Sequence, residues 1–241
     1  MRARRLHSTP RIHGVSIAHA LSPRTPSRSA DEGSPRPPRR STHDVANQPL
    51  RLARAYDEAA AGDVDALRFK RLATAVAKYW TCKRWPAHAA ESLECLGGAG
   101  YVEASGLPRL FRESPLNGIW EGSSNVICLD VLRALARDPG ALELFLDEVE
   151  IAAGADARLD AAVAALRVEL AGSEGLEARA RRIVERMALV LQGSLLVRHA
   201  PSAMADAFCA SRLDGDSGRA FGTLPPSADV EAIDDRARPR V

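Results

Sequence analysis

The sequence predicts an all-α protein, an up-and-down bundle of antiparallel helices behind a disordered N-terminal tail. Three observations lead there. The 241 residues are 46% hydrophobic and only 5% aromatic, with Ala, Leu and Arg prominent, a composition that favours helix. From about Leu50 apolar residues recur at three- and four-residue intervals, and no stretch alternates with the two-residue period of a strand. The segments so marked are joined by short loops, which set consecutive helices antiparallel.

Residues 1–48 form the first unit. They are rich in Arg, Ser and Pro and have no apolar period, so they cannot bury enough surface to offset the entropy of ordering. They carry nine Arg against three acids, +6, whereas residues 49–140 carry +1 and residues 141–241 carry −5. The segment lacks the unbroken apolar core of a secretory signal. Its proline density argues against the amphipathic helix of an organelle transit peptide. A basic tail of this kind can touch nucleic acid nonspecifically, but the preferred reading is non-native coding fused to a helical domain at residues 49–237.

Within that domain, Leu50–Ala61 reads as the end of a helix and Gly62-Asp63 as a break. Val64–Arg84 reads as a long helix with Leu72, Val76 and Tyr79 on one face. Pro86 is expected to open a separate helix that stops at Gly97-Gly98, and Ala99–Asn117 is expected to be loop with one helical turn at most. Val126–Ala136 is apolar nearly all round, the mark of a buried helix. Three more helices are marked by Leu142, Phe145, Leu146 and Val149, then by Leu159, Val163, Leu166 and Leu170, then by Leu176, Ala180, Ile183, Met187, Val190 and Ser194. A last helix covers about Ser202–Arg212, beyond which a Gly-, Pro- and Asp-rich tail is expected to fray. No apolar run reaches the ~18 residues of a membrane span. Cys82, Cys95, Cys128 and Cys209 are dispersed, so they read as small buried thiols in a reducing, cytoplasmic compartment, with no metal site.

One stretch concentrates chemistry. In Gly118-Ile119-Trp120-Glu121-Gly122-Ser123-Ser124-Asn125, a carboxylate sits on a Gly-flanked turn at a helix start. Gly122 permits φ > 0, and Ser123, Ser124 or Asn125 is positioned to cap the helix. Free N–H groups and the positive dipole end beside Glu121 suit an anion, a phosphate or a carbonyl oxygen. An ordinary loop-to-helix junction fits the same residues. Two further motifs have similarly plain alternatives. Leu96-Gly97-Gly98-Ala99-Gly100-Tyr101 follows a helix rather than a strand, so it is no Rossmann fingerprint; it is a helix cap, or a place where backbone approaches a phosphate-bearing ligand. Arg109 and Arg112 are candidates to clamp a phosphate, or are solvated partners of Glu113.

Taken together, Glu91–Tyr101, Leu107-Pro108-Arg109-Leu110-Phe111-Arg112-Glu113 and Ile119-Trp120-Glu121-Gly122-Ser123-Ser124-Asn125-Val126 resemble the C-terminal helical domain of the acyl-CoA dehydrogenase family, in its AidB-like, alkylation-response branch. The likeness extends over roughly residues 48–237. It implies that Glu121 is the catalytic base, taking an α-proton from an acyl-CoA thioester while hydride leaves the β-carbon for FAD. It also implies that Trp120 and the apolar loop keep water away. The resemblance sets Ile119, Trp120, Gly122, Ser123 and Asn125 along the FAD. It sets Gly97 and Gly98 near the flavin of a neighbouring subunit, hence a homo-oligomer, usually a tetramer. The family's N-terminal and middle domains have no counterpart here, so flavin binding and turnover are expected to be incomplete. The alternative is a catalytically silent helical module for oligomerisation or for DNA, with Arg179, Arg181, Arg182 and Arg186 as the phosphate-binding stripe. Mixed charge on that face favours the flavoenzyme.

Overall fold

A computed structural model of the chain describes residues 43–172 and 174–237. Nearly all of the predicted tail therefore lies outside the described residues. The first helix, α1 (His43–Ala60), begins inside the segment assigned to that tail and carries Pro49 within it. Gln48 is buried and donates from Nε2 to the Ala188 carbonyl at 2.6 Å.

The second helix, α2 (Val64–Cys95), is the spine of the molecule. Asp63 caps it, its carboxylate accepting from the Asp65 and Ala66 amides. The predicted stripe is buried: Leu72, Val76 and Tyr79 face the core. The expected break at Pro86 does not occur, and the helix runs on for 32 residues. Proline removes a single N–H, the one that would reach the carbonyl four residues back, and that local loss is outweighed by packing along both flanks of the helix.

After α2 come a one-turn helix α3 (Gly98–Tyr101), a 3-10 turn at Glu103–Ser105, α4 (Leu107–Glu113) and a second 3-10 turn at Ser114–Gly118. This stretch was expected to be mostly loop; it is a string of short helical turns packed on the outside of α2. Helices α5 (Ser124–Arg137), α6 (Pro139–Glu150), α7 (Ala157–Ala171) and α8 (Leu176–His199) complete the bundle, and among the described residues there is no strand. The α8 stripe Ala180, Ile183, Met187 and Val190 is buried, and Phe69 of α2 stacks on Phe145 of α6 at 6.2 Å between ring centres. Helix α5 departs from expectation: Ile127, Cys128 and Val131 are buried, but Val126 is 54% exposed. It covers the core with one face and leaves apolar surface on another.

The C-terminal segment does not fray. Helix α9 (Ser202–Phe208) passes into a π-helical turn at Cys209–Leu213, and α10 (Val230–Ala237) packs Ile233 against Met204 and Ala207. In between, Phe221 lies 5.0 Å beneath the Arg84 guanidinium and edge-on to His88, which itself stacks on Trp85. One aromatic residue in a polar loop thereby straps the tail to α2. Burial, then the neighbouring Arg84 charge, holds the His88 imidazole below its ordinary 6.5. The neutral form is thus the one the fold favours. Its contribution is present above the unfolded pKa and is lost as pH falls through the lower folded value. The melting temperature is expected to drop from pH 7 to pH 5, and His88→Phe is expected to flatten that drop; an unchanged slope would show that the strap does not sense protonation.

All four cysteines are unpaired. Cys128 and Cys209 are buried, with thiols pushed up by burial to about 11 and about 12, and are inert. Cys82 and Cys95 are half-buried.

Candidate functional site

The turn that carries Glu121 is built from three pieces. The 3-10 turn ends at Gly118, and the Ile119 and Trp120 amides both donate to the Leu116 carbonyl, at 2.9 and 3.1 Å. A side chain at Gly118 would approach the Cys82 carbonyl of α2, so the turn lies directly on the spine. Helix α5 then starts with Ser123 at the cap position. Its hydroxyl makes no capping bond, and the Ser123 carbonyl accepts from Ile127 at 3.0 Å. The cap position is as predicted; the side-chain cap is not formed.

Between these pieces the backbone is strained. Glu121 has φ = 54°, and among the described residues it is the one non-glycine with positive φ. Gly122, expected to permit φ > 0, has φ = 109°. An L-residue in the left-handed region costs roughly 1–2 kcal/mol, and such costs persist where the surroundings hold them in place. Lys78 lies against this curl: its ammonium donates to the carbonyls of Trp120, Glu121 and Gly122 at 2.8, 2.9 and 3.4 Å.

A shallow groove of about 230 Å³ opens beside the turn, lined by Lys78, Thr81, Cys82, Trp85, Asn117, Trp120 and Glu121. The sequence did not mark its α2 side, although Lys78, Cys82 and Trp85 follow the i, i+4, i+7 spacing of one helix face. Trp120 donates from Nε1 to Asn117 Oδ1 at 3.1 Å, which fixes the ring at the rim. Ile119 is 66% and Trp120 54% exposed, and Glu121, Ser123 and Asn125 are also exposed. The expectation that Trp120 and its loop exclude water is not met within these residues: the indole stands at the rim instead of covering the carboxylate.

Gly97 and Gly98 are placed elsewhere, beyond the C-terminal end of α2, which lies roughly 25 Å along the helix axis from Lys78 at 1.5 Å per residue. Within one chain they are therefore distant from the Glu121 turn, as two contacts to the flavins of different subunits require. Gly97 has φ = 56°, and nothing stands within 4 Å of a side chain built at Gly97 or Gly98, so both present bare backbone to the exterior. Gly100 differs, because a Cβ there would lie 2.2 Å from the Leu93 carbonyl oxygen. Gly100→Ala is therefore expected to destabilise the fold by about 1–3 kcal/mol through a forced backbone shift, with Gly98→Ala near neutral. Equal melting temperatures for the two variants would contradict this assignment.

The arginines resolve into ion pairs. Arg109 bonds Glu113 at 2.9 Å, and Arg112 reaches both oxygens of Glu103 at 2.7 and 3.0 Å. All four side chains are more than half exposed, so the pairs order the α3–α4 surface more than they stabilise it. The α8 stripe is also engaged. Arg179, Arg182 and Arg186 converge on Glu169 of α7, whose side chain is only 7% exposed, and Arg179 also donates to the Gly172 and Glu174 carbonyls. Three of the four arginines proposed for phosphate binding thus close the end of α7. The balancing acid is Glu169.

Residues 46–136 match the family described as acyl-CoA dehydrogenase, C-terminal domain. The chain is 41% identical over 169 residues to the acyl-CoA dehydrogenase AidB of Escherichia coli K12, covering 70% of this chain and 30% of that protein. It is 32% identical over 169 residues to acyl-CoA dehydrogenase family member 11 of Caenorhabditis elegans, covering 62% and 27%. Two solved structures share the fold. The apo form of Bd2924 has a TM-score of 0.58 at 26% identity, covering 67% of this chain and 32% of that one. The C. elegans ACDH-11 complex with C11-CoA has a TM-score of 0.56 at 24% identity, covering 81% and 33%. The chain spans less than a third of the length of the curated relatives it matches.

Proposed function

Because the chain carries a C-terminal domain of the acyl-CoA dehydrogenase family, we propose that it supplies Glu121 and one wall of a flavin site in an AidB-like oxidoreductase acting on acyl-CoA thioesters. Polypeptide outside these 241 residues supplies the rest of the site. The observation that carries the reading is the Glu121 turn, a carboxylate on strained backbone beside a groove and a helix N-terminus whose cap side chain makes no bond.

The residues present suit half of an FAD site. Exposed Ile119 and Trp120 offer an apolar wall, and the first amides of α5 offer donors to an anionic or carbonyl group. Bare backbone at Gly97 and Gly98 admits close approach, in this proposal by the cofactor of a second subunit. The flavin supplies the hydride acceptor. Glu121 would take the α-proton, made more acidic by donors facing the thioester oxygen, with the carboxylate aimed at Cα. Water exclusion comes from the completing polypeptide, which covers Trp120.

Exposed apolar side chains at Tyr101, Val102, Leu116, Ile119 and Val126 favour this reading over a free-standing module, since surface of that kind is normally covered. The same surface supports a homo-oligomer. Among the described residues no helix is long and apolar enough to cross a membrane. The test is the flavin absorbance spectrum of the chain alone and after mixing with the N-terminal and middle domains of an AidB-like relative. Bound FAD in the mixture and little in the chain alone is expected; a mixture that retains no flavin would refute the proposal.

A further inference from the structure

We infer that Lys78 is the positioning residue of the Glu121 turn: its ammonium holds three successive carbonyls and so sets the direction in which the carboxylate points. This rests on the reading of Glu121 as the base and adds what aims it. An ammonium has three donors and no acceptor. The Trp120, Glu121 and Gly122 carbonyls stand at 2.8, 2.9 and 3.4 Å from it. The three successive carbonyls meet the ammonium where the chain curls tightly, and this curl contains the positive φ of Glu121.

Lys78 is well placed for the task. Its neighbours Ala77 and Tyr79 are buried in the core, so its backbone is fixed by packing that has no other connection with the turn. Among the described residues Lys78 makes no ion pair. Its ammonium bonds neutral carbonyls and not the Glu121 carboxylate, and both residues line the groove. A lysine paired directly to the carboxylate would instead compete with the substrate proton.

The experiment is hydrogen exchange on the full chain, read at the Ile119, Trp120 and Ile127 amides, whose bonds flank the turn. Lys78→Met is expected to speed exchange there about tenfold while the core amides of α8 keep their protection, and Lys78→Arg to restore most of the difference. In a Glu121→Gly background, where positive φ costs little, Lys78→Met is expected to have a clearly smaller effect. Parental exchange at the turn in Lys78→Met would overturn the inference, as would an effect undiminished by Glu121→Gly. If Lys78→Met opens the whole chain, Lys78→Ala, which also removes the donor, is read by the same criteria. Failure of the clamp shows at these amides, whereas failure of Glu121 as base shows only in flavin reduction, so the two are separable.

Discussion

Glu148→Ala is expected to lower the free energy of unfolding by about 3 kcal/mol, among the largest losses available to a single polar substitution in this fold. Glu148 of α6 is bonded on one side by Arg51 of α1 at 2.8 Å and on the other by Arg198 of α8 at 2.7 Å. The three side chains are 10%, 17% and 15% exposed. Removing the carboxylate leaves two guanidinium groups with little access to water and no anion between them. Arg51 retains the face of Phe69, 4.4 Å away, and a looser approach to Glu58 at 3.6 Å, neither of which replaces a 2.8 Å charged bond. Urea unfolding measures the loss directly. A change below about 1 kcal/mol would place this cluster with ordinary surface pairs. Glu148→Gln keeps an acceptor without the charge and is expected to fall between the parent and Glu148→Ala.

That cluster also shows where the sequence was legible and where it was not. The apolar stripes of α2 and α8 follow from spacing alone, because a residue's own helix decides which face it occupies. Glu148 meeting Arg51 and Arg198 does not, because partners on three helices are fixed by packing between them. Glu169 holding three arginines is a second case: the stripe Arg179 to Arg186 was readable as a basic face, but its neutralising acid comes from α7.

The same distinction runs through the elements. Pro86 signals a helix break by local chemistry, and tertiary contacts along α2 carry the helix past it. The tail after Arg212 reads as unstructured by composition, yet Phe221 meets α2 and Leu224, Ala228 and Ile233 pack in a cluster with Met204 and Ala207. The apolar character of Val126 was read correctly; that it faces outward is set by how α5 packs against α2 and α8.

At the site, the Gly-flanked carboxylate and the cap position were visible in the residues around Glu121. The resemblance to acyl-CoA dehydrogenases selected the catalytic reading from the plain one. Lys78 was not visible, since a lysine on a helix carries no mark of the three carbonyls it reaches. The direction of the error over Trp120 is informative as well. An aromatic beside a carboxylate suggests shelter, but the geometry sets the exposed indole at the rim of the groove.

The central claim is that Glu121 is the proton acceptor, and Glu121→Gln tests it most directly. Glutamine preserves size and polarity at the same backbone position but cannot accept the α-proton as a base. In the flavin-loaded mixture of this chain with the completing domains, acyl-CoA-dependent bleaching of the flavin absorbance is expected to slow by at least about 100-fold, the ordinary worth of a positioned general base. The amount of bound flavin should stay at the parental level, since Glu121 is one exposed residue on a wall formed also by Ile119, Trp120 and the start of α5. Bleaching at the parental rate, with flavin fully bound, would contradict the account.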